Sequence, residues 1–285
     1  MTIESEAEQA RRLSLIAGLK YELVPVATVD DAIAALPPRS TVSVTCSPTK
    51  GIDATIALTD RLRSLGHTAV PHIAARLVTD AAHAARIAAW LRTEAVGHLF
   101  LVGGDAEHPA GQYHDASSFL RDLLAADPQL TSVGVTAYPD GHPLIGADLL
   151  HEALRTKEQI LTEAGVVGYF VTQMCFDPNT IVGWLEAERA AGVTLPVHLG
   201  IAGVVNRSKL MTMGVRLGVG TSLRYLKKNR AAIGRLLTGP GFDPNTVLEP
   251  LSPSFETLGI TGLHCFTFNQ IGATVRWQRD TLQRR

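Results

Sequence analysis

Short apolar runs alternate along the chain with longer stretches of helical spacing. Eight runs have the length and composition of buried strands, at 21–25, 41–46, 68–72, 98–102, 132–137, 168–172, 196–201 and 262–267. Most stretches between them repeat apolar residues every three to four positions, and several begin at Asp or Asn and end at Gly, as helices do. Strands that alternate with helices predict parallel β-α units, and eight of them favour a closed barrel over an open doubly wound sheet.

We therefore predict an α/β fold with one domain over residues 1–285, a (β/α)8 TIM barrel that an N-terminal helix precedes. The 285 residues suit this fold, which needs roughly 250. The pattern is weakest at 218–260, where turn residues dominate before the last strand. The "GVGTSL" stretch at 218–223 follows a helical stretch and not a strand, so it does not predict a nucleotide-binding loop.

Composition narrows the classes of function. The chain is 46% hydrophobic and 19% charged, as in globular proteins with a large core, and its net charge of -1 favours neither nucleic acid nor a membrane surface as partner. No apolar run approaches the ~20 residues that span a bilayer, and the polar N-terminus is unlike a secretory signal, so we expect a cytoplasmic protein. Cys46, Cys175 and Cys265 are odd in number and widely spaced, which predicts free thiols and no metal site.

Polar residues gather where the predicted strands end, which is where barrel enzymes hold their chemistry. These residues are Glu22, Thr45, His72, Asp105, Tyr138, His142, Thr172, Gln173, Asn269 and Gln270. Several have a structural alternative: His72 could be a core histidine, Tyr138 could serve packing, Asp105 could cap a turn, and Gln173 could bond the backbone of its loop. For Thr45 a structural role is the better interpretation. For Asp177, which precedes Pro178, helix capping is the better interpretation.

Glu22 interrupts the apolar run "YELVP". A buried carboxylate costs several kcal/mol unless it is paired, hydrogen-bonded or protonated. An edge strand with Glu22 facing water would explain the residue. The convergence of polar groups at one end of the predicted barrel instead favours a site residue.

Eight motifs occur in an order and spacing that resemble the methylenetetrahydrofolate reductase family. They are "YELVP", "VSVT", "VPH", "GGD", "AYPDGHP", "ADLL", "VTQMCFD" and "LHCFTFN", and they extend over roughly residues 20–275. The resemblance implies a (β/α)8 barrel that reduces 5,10-methylenetetrahydrofolate to 5-methyltetrahydrofolate, usually through FAD. It implies that Glu22 is the general acid and that Asp105 and Gln173 contact the pterin.

The resemblance also implies cofactor contacts, and here the sequence departs from the family. Thr45, His72, Tyr138 and Asp148 match positions that usually touch the flavin, and we add His142 and Arg207 as cofactor-binding and Gln270 as substrate-binding residues. Gly103 stands where the family has a flavin-binding arginine, and Gln270 replaces another arginine. The helix after "ADLL" offers His151, Arg155 and Lys157 in an altered register.

These departures resemble the flavin-independent branch of the family, which passes hydride directly from NADH to the folate. We therefore expect NADH as the cofactor, no FAD, and tetrahydrofolate and a nicotinamide dinucleotide as partners, with homo-oligomerisation left open. The alternatives are an FAD-dependent reductase, a related barrel that uses a deazaflavin or a modified pterin, and a catalytically silent folate-binding protein. Glu22 argues against the last, because a silent binder needs no buried acid.

Overall fold

The computed structural model describes residues 4–206, 209, 210, 212 and 241–283. Eight parallel strands form a closed barrel in sequence order, and the last strand pairs with the first. The strands are β1 (Lys20–Leu23), β2 (Thr41–Val44), β3 (Thr68–Ala74), β4 (His98–Val102), β5 (Ser132–Ala137), β6 (Val167–Thr172), β7 (Val197–Ala202) and β8 (Ile260–Phe266). The predicted (β/α)8 barrel is confirmed, and each predicted strand overlaps an observed one.

Helices connect the strands and cover the outside of the barrel. They are α1 (Glu6–Ala17), α2 (Val29–Ala34), α3 (Gly51–Ser64), α4 (Ala81–Thr93), α5 (Ala116–Ala125), α6 (Ala147–Glu163), α7 (Pro178–Ala190), α8 (Asn245–Leu251) and α9 (Ile271–Gln283). The sequence did not predict α2 or α8, because six or seven residues are too few for a clear helical period and α8 contains Pro250. The predicted helical stretch at 206–218 lies largely outside the described residues, and "GVGTSL" lies wholly outside them.

Side-chain caps fix where several helices begin. Ser5 and Glu8 form a capping box at α1, and Asp80 and Asp115 accept backbone N–H groups at the starts of α4 and α5. Asp177 accepts the N–H of Asn179 at 3.0 Å at the start of α7, which confirms its interpretation as a cap.

The barrel has apolar packing on both sides of its wall. Outward-facing residues such as Val42, Val133 and Leu263 join the main core between the strands and the helices. Inside the barrel, a smaller cluster contains Val70, Phe100, Tyr169 and Val171. Since neighbours on a strand face opposite sides, this division follows the two-residue period of the strands.

Gly134 on β5 makes room for large side chains inside the barrel. A Cβ atom at this position would lie 2.6 Å from Cζ of Tyr169 and 2.7 Å from Cδ2 of Phe100. The absence of a side chain therefore permits two aromatic rings to fill the interior.

The remaining expectations about the whole chain concern its thiols and membranes. None of Cys46, Cys175 and Cys265 takes part in a disulfide, as predicted. Within the described ranges, no helix combines the length and apolarity that a bilayer crossing requires.

Candidate active site

Closure of the barrel places Glu22 in its interior. β1 pairs with β2 on one side and with β8 on the other, so the alternative of an edge strand facing water is wrong. Glu22 is level with Ser43 on β2 and with Phe266 on β8, and only 6% of its surface is exposed. The interpretation of Glu22 as a buried carboxyl group is therefore correct.

Two hydrogen bonds organise the polar groups around this carboxyl. Nε2 of His264 lies 3.0 Å from Oε2 of Glu22, and His264 is 1% exposed. On the neighbouring strands, Oγ of Ser43 lies 2.5 Å from Nε2 of His72, which is also buried. The rings of His72 and His264 are 6.1 Å apart between centroids, so the two histidines stand close together in the barrel.

Burial sets the protonation of this cluster. It raises the pKa of Glu22 to about 7, although the proximity of His72 opposes the rise. Burial lowers the pKa of His72 and of His264 to about 3, and the charge of Lys20 contributes to the lowering for both. At neutral pH both imidazoles are therefore uncharged, and Glu22 is the group beside them that gains and loses a proton.

A second polar group lies in the same barrel around Lys20. Its Nζ donates to the hydroxyl of Tyr169 at 3.0 Å and lies 4.6 Å from the centroid of that ring, while His198 packs against the same ring with the two centroids 4.1 Å apart. Burial lowers the pKa of Lys20 to about 8 and, together with the charges of Lys20 and His264, lowers the pKa of His198 to about 3. We refer to His72, His198 and His264 as the barrel histidines.

Asp105, Tyr138 and His142 meet at the mouth of the barrel. The rings of Tyr138 and His142 are 5.2 Å apart in an edge-on arrangement. The charge of Asp105, which is exposed, reaches both groups: it adds to burial in raising the pKa of Tyr138, and it opposes the lowering of the pKa of His142 that burial causes. The structure thus brings together three residues from two loops that the sequence placed at this end.

The two predicted folate-binding glutamines each accept a backbone N–H group, Gln173 from its own loop and Gln270 from the segment after another strand. Oε1 of Gln173 accepts the N–H of Met174 at 2.8 Å, and Oε1 of Gln270 accepts the N–H of Asn206 at 3.2 Å. Gln270 therefore links the segment after β8 to the segment after β7. Both carboxamides are oriented by these bonds at the ends of their strands.

Thr45 follows β2, and its backbone N–H donates to the carbonyl of Leu23 on β1 at 2.9 Å. Its Oγ1 is buried and has no hydrogen-bond partner among the described residues. An unsatisfied buried hydroxyl is uncommon, and a ligand that completes its hydrogen bonding is one explanation. Arg207, the last predicted cofactor-binding residue, lies outside the described residues.

A cavity of about 250 Å³ opens beside this mouth, between the β5–α6 segment and α7. Tyr138 and Glu188 are among its lining residues. Nδ1 of His151 on α6 lies 2.7 Å from Oε2 of Glu188 on α7. Lys157, further along α6, is buried, and its Nζ lies 3.5 Å from the carbonyl of Thr136.

Among the described residues, Glu22, His72 and His264 form a group whose geometry could also hold a metal ion. One ligand atom from each lies within 4.8 Å of the others. Hydrogen bonds already use Oε2 of Glu22 and a ring nitrogen of each histidine. The expectation of no metal site remains a prediction.

The sequence pattern did not single out His264, Ser43 or Lys20. A usable signal was present in the two-residue period: Lys20 and Glu22 share one face of β1, and His264 shares a face of β8 with Phe266. The pairing of β1 with β8, which no local pattern predicts, was needed to bring these faces together.

Comparison with solved structures agrees with the fold. An uncharacterized protein from Clostridium thermocellum, described as binding two copies of 5-methyl-5,6,7,8-tetrahydrofolic acid, aligns over 93% of this chain and 93% of its own with a TM-score of 0.61 and 14% identity. A putative deoxyribose-phosphate aldolase from Toxoplasma gondii ME49 aligns over 98% of both chains with a TM-score of 0.46 and 12% identity. A 2,3-dimethylmalate lyase covers 95% of this chain and 85% of its own with a TM-score of 0.48 and 10% identity.

Only the first of these similarities is strong enough to support an argument, and at 14% identity it concerns the fold alone. The sequence gives the more specific result. A family model described as methylenetetrahydrofolate reductase matches residues 42–219, which is more than half of the chain. The match includes the strand ends that carry His72, Asp105, Tyr138 and Gln173. The chain therefore belongs to the methylenetetrahydrofolate reductase family.

Proposed function

We propose that this protein reduces 5,10-methylenetetrahydrofolate to 5-methyltetrahydrofolate by direct hydride transfer from NADH, with Glu22 as the proton donor. Family membership supports a reductase-like function that acts on a folate. The folate bound by the Clostridium thermocellum protein is the product of this reaction, which is consistent with the same class of ligand. The observation that carries the proposal is the buried Glu22 carboxyl beside two neutral histidines.

The reaction requires an acid that remains protonated near neutral pH. Glu22 gives its proton to N10 of the folate, the N10–C11 bond breaks, and its electron pair stays on N10. The iminium that remains accepts hydride from C4 of NADH at C11, which yields the methyl group and NAD⁺. A carboxyl group whose pKa burial raises to about 7 suits this task, and general acid catalysis contributes about 10²–10⁴-fold.

Residues at the mouth of the barrel would bind and orient the two reactants. In this proposal Asp105 favours positive charge on the pterin, and Gln173 and Gln270 offer carboxamide groups to the folate. We assign contacts with the dinucleotide to Thr45, His72, Tyr138 and His142, and also to Arg207, which lies outside the described residues.

The proposal that no flavin takes part is supported by the contacts of polar side chains on α6. His151 is engaged by Glu188 on α7, and the Lys157 side chain is buried with its ammonium towards the carbonyl of Thr136. At Gly103, where the resemblance places an arginine of the family, a Cβ atom would meet nothing within 4 Å, so packing does not require glycine there. Two of the three polar side chains that α6 offers thus have partners within the protein, which supports the proposal that hydride comes directly from NADH.

Purified protein tests the proposal. Its visible spectrum is recorded first, and NADH oxidation is then followed with methylenetetrahydrofolate and no added flavin. Turnover by colourless protein is the expected result. Activity only after FAD is added would favour the flavin-dependent alternative, and activity only with a deazaflavin or modified pterin would favour the third enzyme alternative. Folate binding without any turnover would favour the silent binder.

A further inference from the structure

We propose that His264 is a positioning residue that determines which oxygen of Glu22 carries the acid proton. This inference rests on the proposed function, in which Glu22 protonates the folate. It adds a residue on β8 that lies 242 positions from Glu22 in the sequence. The role proposed for His264 requires no contact with either substrate. The geometry around the imidazole ring carries the inference.

The two ring nitrogens of His264 have different surroundings. Nε2 lies 3.0 Å from Oε2 of Glu22, whereas Nδ1 is buried and has no hydrogen-bond partner in the described part of the chain. A neutral imidazole has one N–H donor and one acceptor nitrogen. A hydrogen on Nδ1 would leave a buried donor unpaired, which is rarer than an unpaired acceptor. The hydrogen therefore belongs on Nε2, and this N–H donates to Glu22.

This tautomer assigns different roles to the two carboxyl oxygens. Because Oε2 accepts the histidine N–H, it is the carbonyl oxygen of the protonated acid, and the proton resides on Oε1. When the Oε1–H bond breaks and N10–H forms, Glu22 becomes a carboxylate. The bond from Nε2–H to Oε2 then becomes charge-assisted and stronger. An interaction that strengthens as the proton leaves stabilises the transition state more than the bound substrate.

The groups around Glu22 keep the imidazole of His264 in its neutral form. The titratable groups near the carboxyl are His72 on β3, His264 on β8 and Lys20 on β1, which share the barrel interior, and Cys265, which lies on the opposite face of β8. The charge of Lys20 disfavours a second proton on His264, and burial has the same effect. The imidazole thus acts as a fixed hydrogen-bond donor and does not compete with Glu22 for the acid proton.

Two substitutions of His264 test the inference through the pH profile of kcat. His264→Leu removes the donor, so the Glu22 carboxylate becomes less stable. We expect kcat to fall about tenfold or more and the alkaline limb of its pH profile to move about one pH unit higher. His264→Gln retains an N–H donor and should return the limb towards its original position. KM for the folate should change less than threefold in both variants.

His198→Leu is the matched control, because His198 is a second histidine of the same barrel and packs on Tyr169 instead of Glu22. Its alkaline limb should stay where it is in the unaltered protein. If the alkaline limb of the pH profile does not move in His264→Leu, the inference is overturned. An equal shift of this limb in His198→Leu also overturns it, because it would indicate a general packing effect.

Two further measurements separate the possible failures. Nitrogen NMR of the histidine side chains in unaltered protein should show the Nε2–H tautomer for His264, with the resonance assigned by its loss in His264→Gln; the Nδ1–H tautomer overturns the inference even if His264→Leu does not fold. If Glu22→Gln is inactive and the alkaline limb of the pH profile does not move in His264→Leu, only this inference is rejected. Full activity of Glu22→Gln would reject the proposed function and this inference with it.

Discussion

Replacing Glu22 by glutamine should make the protein inactive and, above neutral pH, more stable. Glutamine keeps the size of the side chain and an oxygen that can accept from Nε2 of His264, but it has no acidic proton to give to N10. Loss of general acid catalysis should lower kcat by about 10²–10⁴-fold, or about 3–5.5 kcal/mol in activation free energy. KM for the folate should remain within threefold, because the substitution removes no binding group.

The gain in stability follows from the pKa of the buried carboxyl. Burial raises this pKa from 4.5 to about 7, so the unfolded chain loses the Glu22 proton at lower pH than the folded protein does. The penalty on the folded state is absent below pH ~4.5, grows as the pH rises towards 7 and is constant above that value. At pH 8 it amounts to about 3 kcal/mol, which glutamine would not incur.

Urea unfolding at pH 5 and pH 8 and steady-state NADH oxidation at both values measure the two effects. In the unaltered protein, turnover should fall about tenfold per pH unit above the pKa of Glu22. Glu158→Gln is a suitable control, because Glu158 accepts the N–H groups of Thr194 and Leu195 just before β7, at the opposite end of the barrel. It should reduce stability and leave turnover unchanged. Turnover of Glu22→Gln within threefold of normal would refute the acid assignment, and an equal stability difference at both pH values would refute the raised pKa.

Other measurements test the barrel interior. Burial lowers the pKa of each barrel histidine to about 3, so the free energy of unfolding should fall as the pH drops below 6.5. The fall should be about 1.4 kcal/mol per pH unit for each histidine. Urea titrations between pH 7 and pH 5 that show no fall would contradict this prediction. Gly134→Ala should destabilise the protein by about 1–3 kcal/mol in thermal unfolding, because the added Cβ atom would overlap Tyr169 and Phe100. Gly183→Ala on α7 is the control: its Cβ atom would meet nothing within 4 Å, so this variant should be equally stable or more stable. Incubation with EDTA should leave NADH oxidation unchanged, and a loss restored by a divalent metal ion would contradict the expectation of no metal site.

The apolar patterns predicted all eight strands because each strand carries its own signal. The two-residue period and the caps at the helix starts depend on residues that are close in the sequence, as Asp115 and Asp177 illustrate. Two short helices carry no such signal: α2 and α8 have too few residues for a helical period, and their helical conformation depends on packing against the barrel.

The sequence predicted single residues of the site but not the side chains that contact them. The motifs pointed to Glu22, Asp105 and Gln173, and the structure places them in or above one barrel. Side-chain partners come instead from elements far apart in the sequence: His264 from β8 contacts Glu22 from β1, and Glu188 from α7 contacts His151 from α6. No local pattern contains such pairs, because they depend on the order and register of the strands.

The sequence by itself determined the barrel, the family and an acid at the end of the first strand, since hydrophobic period, helix caps and motifs are properties of neighbouring residues. Only the tertiary structure decided that this acid is buried and that a neutral histidine holds one of its oxygens. The physical reason is the register of the β1–β8 pairing, which sets Lys20 level with His264 and Glu22 level with Phe266 and so brings His264 within 3.0 Å of the carboxyl.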